Sequence, residues 1–253
     1  VTGGLQKRGY FEYKLNGKDA SMPASDYNNN SLSLRLDLAL DHTSSLRLNV
    51  DHKSIDAGNY YNLAASGGYQ KELFNNWNVT YNFKENTQTP GYIRYFDNYK
   101  WEYFQGEFNT RTQGVDYQNG WELGKNNKLI AGAEWHTSLS SNSVGGYSDK
   151  QIINKALYLQ DTIKFADKWS FVPGARVDIH SMFGTHWTPK IALNYNADNK
   201  TQLYASWGRV FKAPTAENLY YGFGMGNPDL MPESGYTETI GVNHRFDNNK
   251  SLQ

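Results

Sequence analysis

The sequence predicts an all-β chain, an antiparallel transmembrane β-barrel, and three observations predict it. Apolar and polar residues alternate with a period of two over long stretches. No apolar run approaches the roughly 20 residues that a membrane-spanning helix needs. The composition couples a polar average, mean hydropathy −0.74, to 15% aromatic residues. A soluble core of Leu, Ile and Val would be thin here. A barrel whose alternate residues face lipid and lumen carries this kind of composition. Soluble sandwiches and carbohydrate-binding domains share it, so the pattern along the chain has to discriminate.

The clearest strand runs from Ser31 to Leu40. Leu32, Leu34, Leu36, Leu38 and Leu40 share one face, with Ser33, Arg35, Asp37 and Ala39 on the other. A helix would scatter those leucines around its circumference. The polar break at 41–44 reads as a tight turn. Leu46, Leu48 and Val50 then alternate with Arg47, Asn49 and Asp51, which makes an antiparallel hairpin. Further faces of this kind are Leu129, Ala131, Ala133 and Trp135, and Trp169, Phe171, Ala175, Val177 and Ile179, the last set opposed by Ser170, Gly174, Arg176, Asp178 and His180.

Short polar turns are expected at 41–44, 74–76, 124–128, 166–168, 197–200 and 247–250. Long connections rich in Gly, Asn, Tyr and Ser are expected at 53–66, 85–109, 140–154 and 209–236. Short turns at one end and long loops at the other are the asymmetry of an outer-membrane barrel, whose long loops are extracellular. This reading gives about 12 strands between Leu5 and Phe246 and no substantial helix; 213–220 could make a helical turn, but Gly222, Gly224 and Gly226 argue for a loop. Trp77, Trp101, Trp121, Trp135, Trp169, Trp187 and Trp207 are placed near strand ends, as interfacial girdles require.

Several functions are excluded. With 25 basic and 25 acidic residues, no global field draws in nucleic acid. Cysteine is absent, so thiol catalysis, thiolate metal sites and disulfides are excluded. No catalytic signature survives inspection, and the run at 222–226 is not followed by a helix, so it is no dinucleotide loop. Nothing calls for a cofactor or a resident metal. Glu134 and Glu238 read as lumen-facing charges. His180 and His186 flank 181–185 in one expected outer loop, near enough to converge on a metal or haem. Tyr60, Tyr61, Tyr69, Tyr92, Tyr95, Tyr99, Tyr103, Tyr147, Tyr220 and Tyr221 crowd the expected loops with Arg94 and Lys100. Such a mouth suits a flat anionic ligand through stacking and cation–π contact, and suits a sugar, a corrinoid or haem equally.

One segment carries a resemblance. Phe211-Lys212-Ala213-Pro214-Thr215, then Glu217-Asn218-Leu219-Tyr220, Gly226-Asn227-Pro228-Asp229-Leu230 and Pro232-Glu233-Ser234 resemble, in order and spacing, the late-barrel signature of TonB-dependent outer-membrane receptors. Gly174-Ala175-Arg176-Val177-Asp178 with Trp187-Thr188-Pro189-Lys190 is similar to strands that precede it in that family. The likeness is strong in the last third and looser before Asn109.

The resemblance implies a 22-stranded barrel, plugged by an N-terminal domain, that imports an iron complex, haem or a corrinoid with energy from the TonB–ExbB–ExbD complex. Residues 1–253 would then be a partial barrel domain in the lipid of the outer membrane, without the plug, the TonB box and the final strands. The chain begins without an initiator Met or an apolar leader and stops just after an expected turn. Ferric siderophore is the default ligand, being the commonest class. Haem receptors of the family carry a His between the two motifs, and none lies within 215–226. Candidate ligand contacts are Arg94, Tyr95, Tyr99, His180, His186, Arg209, Tyr220 and Tyr221. In the motif, Pro214, Pro228 and Pro232 fix the backbone and Glu217 and Glu233 can pair locally. A passive porin, an adhesin and a soluble carbohydrate-binding domain are the rivals from other classes.

Overall fold

A computed structural model of the chain describes residues 1–59, 68–246 and 251–252. Its strands are β1 (Thr2–Arg8), β2 (Phe11–Leu15), β3 (Lys18–Met22), β4 (Tyr27–Ala39), β5 (Ser45–Gly58), β6 (Tyr69–Phe83), β7 (Gly91–Tyr103), β8 (Glu107–Leu123), β9 (Asn127–Asn142), β10 (Tyr147–Phe165), β11 (Trp169–His180), β12 (Gly184–Asn196), β13 (Thr201–Lys212), β14 (Glu233–Arg245) and β15 (Ser251–Leu252). One five-residue helix, α1 (Ala216–Tyr220), lies between β13 and β14. A 13-stranded antiparallel sheet joins all the strands except β2 and β3, which form a separate hairpin. Setting aside the two-residue β15, this leaves twelve, in agreement with the count of about 12 read from the sequence, though not with all of its strand positions. The sheet is open: β1 pairs only with β4, and β15 only with β14.

Antiparallel pairing places partner residues on one face, so a chain of partners traces a row around the wall. One row runs Leu38, Leu46, Tyr81, Ile93, Tyr117, Ala133, Leu157, Val177 and Trp187. Another holds Leu36, Leu48, Val79, Tyr95, Val115 and Trp135. These rows are not covered by a second sheet. Leu36 is 53% exposed, Leu38 58% and Leu157 60%, while the buried apolar residues are Ala24, Tyr147, Ala156, Ala216 and Leu219. A sandwich would bury this face; here it points outward, as in a barrel wall that meets lipid. No helix among the described residues is long and apolar enough to cross a membrane.

Aromatic rings mark two levels on the outer face. Near the ends joined by 166–168, Phe165 stacks on Trp169 at 6.2 Å and Trp169 meets Tyr195 at 4.5 Å. Toward the opposite end, Trp77 packs on Tyr95 at 5.3 Å and Trp207 stacks on Tyr236 at 5.6 Å. Trp77, Trp135 and Trp207 therefore sit well inside their strands rather than at strand ends, because the strands continue beyond the apolar band.

The turns at 41–44, 124–126, 166–168 and 197–200 form as expected. Asp41 accepts bonds from the Thr43 N–H at 2.7 Å and the Ser44 hydroxyl at 2.7 Å. The Ser44 hydroxyl and the Thr43 N–H together hold its carboxyl below the usual range. Asp198 does the same with the Lys200 and Thr201 N–H groups, at 2.7 and 2.8 Å.

Several expectations fail. Residues 74–76 are no turn but the middle of β6, where His52 Nδ1 lies 2.7 Å from Asn75 Oδ1 and Asn49 donates to Asn78 at 3.0 Å; the asparagines find their partners across strands. The expected loop 85–109 contains β7, and its true connections are 84–90 and 104–106. The expected loop 140–154 is a hairpin of β9 and β10 turning at 143–146, with hydroxyl pairs such as Thr110–Ser140 at 3.0 Å and Thr112–Ser138 at 2.8 Å on its inner side. Of 53–66, residues 53–58 belong to β5. Tyr60, Tyr61 and the turn at 247–250 lie outside the described residues. The loop before β14 is long, as expected, spanning 213–232. Glu238 is a further correction: it pairs with Trp207 and shares its face with Ile240, which is 90% exposed, so it points outward.

Reversing the polarity of one row tests this assignment. Leu48→Arg, on the outer face, should destabilise the membrane-embedded wall by about 2–4 kcal/mol, while Asn49→Arg, facing inward, should change it by less than about 1 kcal/mol. Urea unfolding in lipid vesicles reads both.

Candidate functional site

The inner face carries an ion-pair network. Arg94 on β7 binds Asp116 on β8 through Nε at 3.1 Å and through a second, shorter contact from Nη2. His136 Nε2 lies 2.7 Å from the other oxygen of Asp116. Arg176 on β11 donates to Glu134 at 2.6 Å and to both oxygens of Asp178 at 2.9 Å, and Asn154 adds a bond to Asp178 at 3.1 Å. Asp116, Glu134 and His136 bring donor atoms within 4.8 Å of one another, yet the two arginines already neutralise both carboxylates. The cluster is an ion-pair network in which Arg94 and Arg176 hold Asp116, Glu134 and Asp178. It ties β7 to β11, since breaking a buried ion pair leaves an uncompensated charge.

Beside this network lies a groove of 490 Å³ lined by Gln118, Tyr158, Arg176 and Lys190. Tyr158 lies flat over Gly132, where a Cβ would meet the ring at 2.2 Å, and donates to Gln118 at 3.1 Å. Glycine at 132 is what lets the ring lie there.

The mouth, at the end that carries the 213–232 loop, gathers rings and cations into two patches. On β5 to β8, the Lys53 ammonium sits 5.9 Å from the Phe74 ring, and Lys100 lies 5.7 Å from Phe74 and 5.8 Å from Phe108. On β10 and α1, Lys150 stands 4.7 Å over Tyr220, whose ring is 6.3 Å from Tyr147. A 300 Å³ pocket lies between Lys100 and Phe108 on one side and Glu217 and Tyr221 on the other.

The loop holds its part of the mouth by local chemistry. Thr215 caps α1: its hydroxyl accepts from the Asn218 N–H at 3.2 Å, and the Asn218 side chain accepts from the Thr215 N–H at 3.0 Å. That reciprocal pair satisfies two otherwise orphaned donors. The segment expected to remain a loop thus makes one helical turn because Thr215 supplies the cap. Leu219 is 1% exposed. The Gly222 N–H donates to Gly145 O at 2.7 Å and the Asn227 N–H to Asn218 O at 2.9 Å. The motif's Phe211, Lys212, Ala213, Pro214, Asn227, Pro228, Leu230, Pro232 and Glu233 accordingly bound this folded loop. Neither Glu217 nor Glu233 makes an ion pair among the described residues, so the local pairing expected of them does not form.

The structure separates the candidate contacts. Tyr220 and Tyr221 lie at the mouth. His180 ends β11 and His186 lies in β12, joined by a short turn at 181–183 at the end that carries the 213–232 loop. The Met182 N–H donates to His180 Nδ1 at 3.2 Å; His186 donates to Phe183 O at 3.0 Å and stacks on Phe211 at 4.6 Å. Tyr220 reaches the same turn through Met182 Sδ at 3.6 Å. Arg94, Tyr95 and Tyr99 lie on β7, not in a loop, and alternate faces divide them: Arg94 is inward, while Tyr95 and Tyr99 are outward. Arg209 is on the outer face with Trp207, paired with Tyr236. Sequence reasoning missed Phe74, Phe108, Lys53 and Lys150. Their only signal is inward parity with their strand neighbours, which stays hidden as long as 74–76 reads as a turn and 85–109 as a loop.

An open wall of antiparallel strands, apolar outside and ionic inside, with a folded loop at the mouth, defines a transmembrane receptor barrel. The chain belongs to the TonB-dependent receptor family, whose model, described as TonB dependent receptor-like, beta-barrel, matches residues 2–253. The porin, adhesin and soluble-domain alternatives are thereby set aside. The vitamin B12 transporter BtuB of Photobacterium profundum is 30% identical over 183 residues, covering 72% of this chain and 28% of that protein. The ferric enterobactin receptor PirA of Pseudomonas aeruginosa is 34% identical over 77 residues, covering 30% of this chain and 9% of that protein. In three dimensions the wall is similar to the siderophore receptor PirA from Pseudomonas aeruginosa, with a TM-score of 0.76 and 18% identity over 90% of this chain and 44% of that one. A mutant of the ferric enterobactin receptor PfeA from the same organism gives 0.71 at 17% identity, over 89% and 42%. At such identities the likeness establishes the fold. The chain spans less than half the length of these relatives.

Removing the buried anchor of the loop tests its architecture. Leu219→Ala should loosen the loop by about 2–5 kcal/mol and speed proteolytic cleavage within 213–232, with the wall unchanged by circular dichroism.

Proposed function

We propose that residues 1–253 form one domain, part of the barrel wall of an outer-membrane receptor that captures a ferric siderophore at its mouth and imports it by TonB-coupled active transport. The end carrying the 213–232 loop faces the cell exterior, and the barrel crosses the outer membrane many times. Energy comes from the TonB–ExbB–ExbD complex, as the family resemblance implies. The ligand is moved without chemistry, so the protein acts as a transporter rather than an enzyme.

The observation that carries this reading is the interleaving of cations and rings at the mouth, in the groups Lys53–Phe74–Lys100–Phe108 and Lys150–Tyr220–Tyr147. A ferric catecholate complex is anionic and edged with flat rings. Lys53 and Lys150 offset its charge, with Lys100 shared with Glu102 at 2.7 Å, and aromatic faces take its rings by stacking. The sequence similarity to a ferric enterobactin receptor supports the same ligand class.

A corrinoid is the second reading. It is favoured by the vitamin B12 transporter relative, whose similarity extends over 72% of the chain. Haem has less support, because His186 is engaged with Phe183 and Phe211 and His180 with the turn backbone.

Uptake separates the readings: cells relying on the receptor should accumulate radiolabelled iron supplied as a catecholate complex and not radiolabelled cyanocobalamin. The reverse result assigns the corrinoid. Lys100→Ala and Tyr220→Ala should each weaken binding by about 3- to 30-fold, as expected for losing one or two cation–π contacts. Arg209→Ala, on the outer face, should leave binding of the complex unchanged. Equilibrium titration of the purified receptor measures all three.

A further inference from the structure

Lys155 stands on the outer face of β10, where most neighbours are apolar. Its row partners are Trp135 and Ile179. One step toward the mouth lie Thr137 and Ile153, and one step the other way lie Ala133 and Leu157. None is acidic. Lys155 is exposed, and among the described residues it has no ion-pair or hydrogen-bond partner. Arg94, Arg111 and Arg176 behave differently, each being held by carboxylates.

The height of Lys155 explains how a lone cation can stand there. It lies ten residues from Phe165, whose ring belongs to the lower aromatic level. Ten residues make about 34 Å of strand, and at a tilt of about 40° this is a rise of about 26 Å. That matches the roughly 25 Å height of a lipid-facing band. Lys155 therefore sits at its upper edge beside Trp135, a residue type that settles at the headgroup level. Above it the outer face turns polar: Arg111 donates to Asp97 at 3.0 Å, and Gln113 donates to Asp97 and to the Tyr95 hydroxyl, both at 3.0 Å. Below it, Leu157 is 60% exposed beside the small Ala133, a shallow apolar strip of acyl-chain width.

We propose that Lys155 and Trp135 form a headgroup site for a phosphate-bearing anionic lipid, with the lipid's acyl chain lying along Ala133 and Leu157. The proposal rests on the reading that the outer face meets lipid. The ammonium supplies the counter-charge to the phosphate, and the indole ring packs against the glycerol and upper chain. None of the adjacent outer-face residues on β9 and β11 is acidic, and Asp97, farther along the row above, is already held by Arg111 and Gln113, so the lipid is the source of the anion.

Native mass spectrometry of the receptor in maltoside micelles tests this with phosphatidylglycerol and phosphatidylcholine of identical chains. The wild-type protein should retain phosphatidylglycerol at least 5-fold more than phosphatidylcholine. Lys155→Gln should remove most of that preference, Lys155→Arg should keep it, and Lys168→Gln, in a turn at the opposite end, should leave it intact. Equal retention of the two lipids by the wild-type protein, or an undiminished preference in Lys155→Gln, overturns the proposal. Quenching of tryptophan fluorescence by brominated chains, with the Trp135 part read as the difference from Trp135→Phe, reports separately on the underlying reading. Quenching in wild type and Lys155→Gln alike confirms that the face meets lipid, so a lost preference is then assigned to the headgroup. No quenching in either contradicts the lipid-facing reading and the proposal with it.

Discussion

Backbone pairing across twelve antiparallel strands is the constraint on which the rest of this structure depends. A membrane leaves no water for unpaired N–H and C=O groups, so each strand must satisfy its neighbours. Once paired, the side chains of a strand are divided between two faces by parity alone. The wall then needs apolar residues at one parity and is free to place charge at the other. Leu38, Leu46, Tyr81, Ile93 and Leu157 meet the first demand in a single row. Arg94, Asp116, Glu134, Arg176 and Asp178 exploit the second: Arg94–Asp116 and Arg176–Glu134 join different strands, while Arg176 also holds Asp178 on its own strand.

This parity also builds the mouth. Phe74, Lys100 and Phe108 share the inner parity of adjacent strands, so the ladder aligns rings with cations without any loop to carry them. The loop at 213–232 contributes differently. Its residues gain a fixed shape from the Thr215–Asn218 cap, buried Leu219 and two backbone bonds that anchor its base. Phe223, with φ of 60° and 79% exposure, is held at its tip in a conformation that bulky residues rarely adopt. The motif that announces the family is thus mainly a scaffold, and the contacts suited to ligand come largely from the strands around it.

The sequence made some of this legible and hid the rest for physical reasons. Where a strand lies within the apolar band, alternation is strong, and the stretch from Leu32 to Val50 can be read residue by residue. Where a strand rises above the band, both faces are polar and the period of two disappears. That is why the tops of β9 and β10 read as loops, while β7 carries rings at both parities, Tyr92 and Phe96 against Tyr95 and Tyr99, which masks its period. Asn75 and Asn76 are turn-forming residues in isolation; in β6 the Asn75 side chain meets His52 across the strands and Asn78 meets Asn49, which no local propensity reveals. Charge alone assigns Glu238 to the lumen, whereas its register with Trp207 sets it outside. The turns at 41–44 and 197–200 are legible because Asp41 and Asp198 close them through short-range bonds to their own backbone.

The most direct test of the central claim is a spin-label scan along β10, from residue 152 to residue 162, in the membrane-embedded receptor. Membrane-dissolved oxygen should relax labels at the odd positions 153, 155, 157 and 159, and a water-soluble nickel reagent those at the even positions between them. A strict period of two, inverted between the two reagents, is the expected result. A helical period, or equal access of both reagents to both faces, would contradict the account.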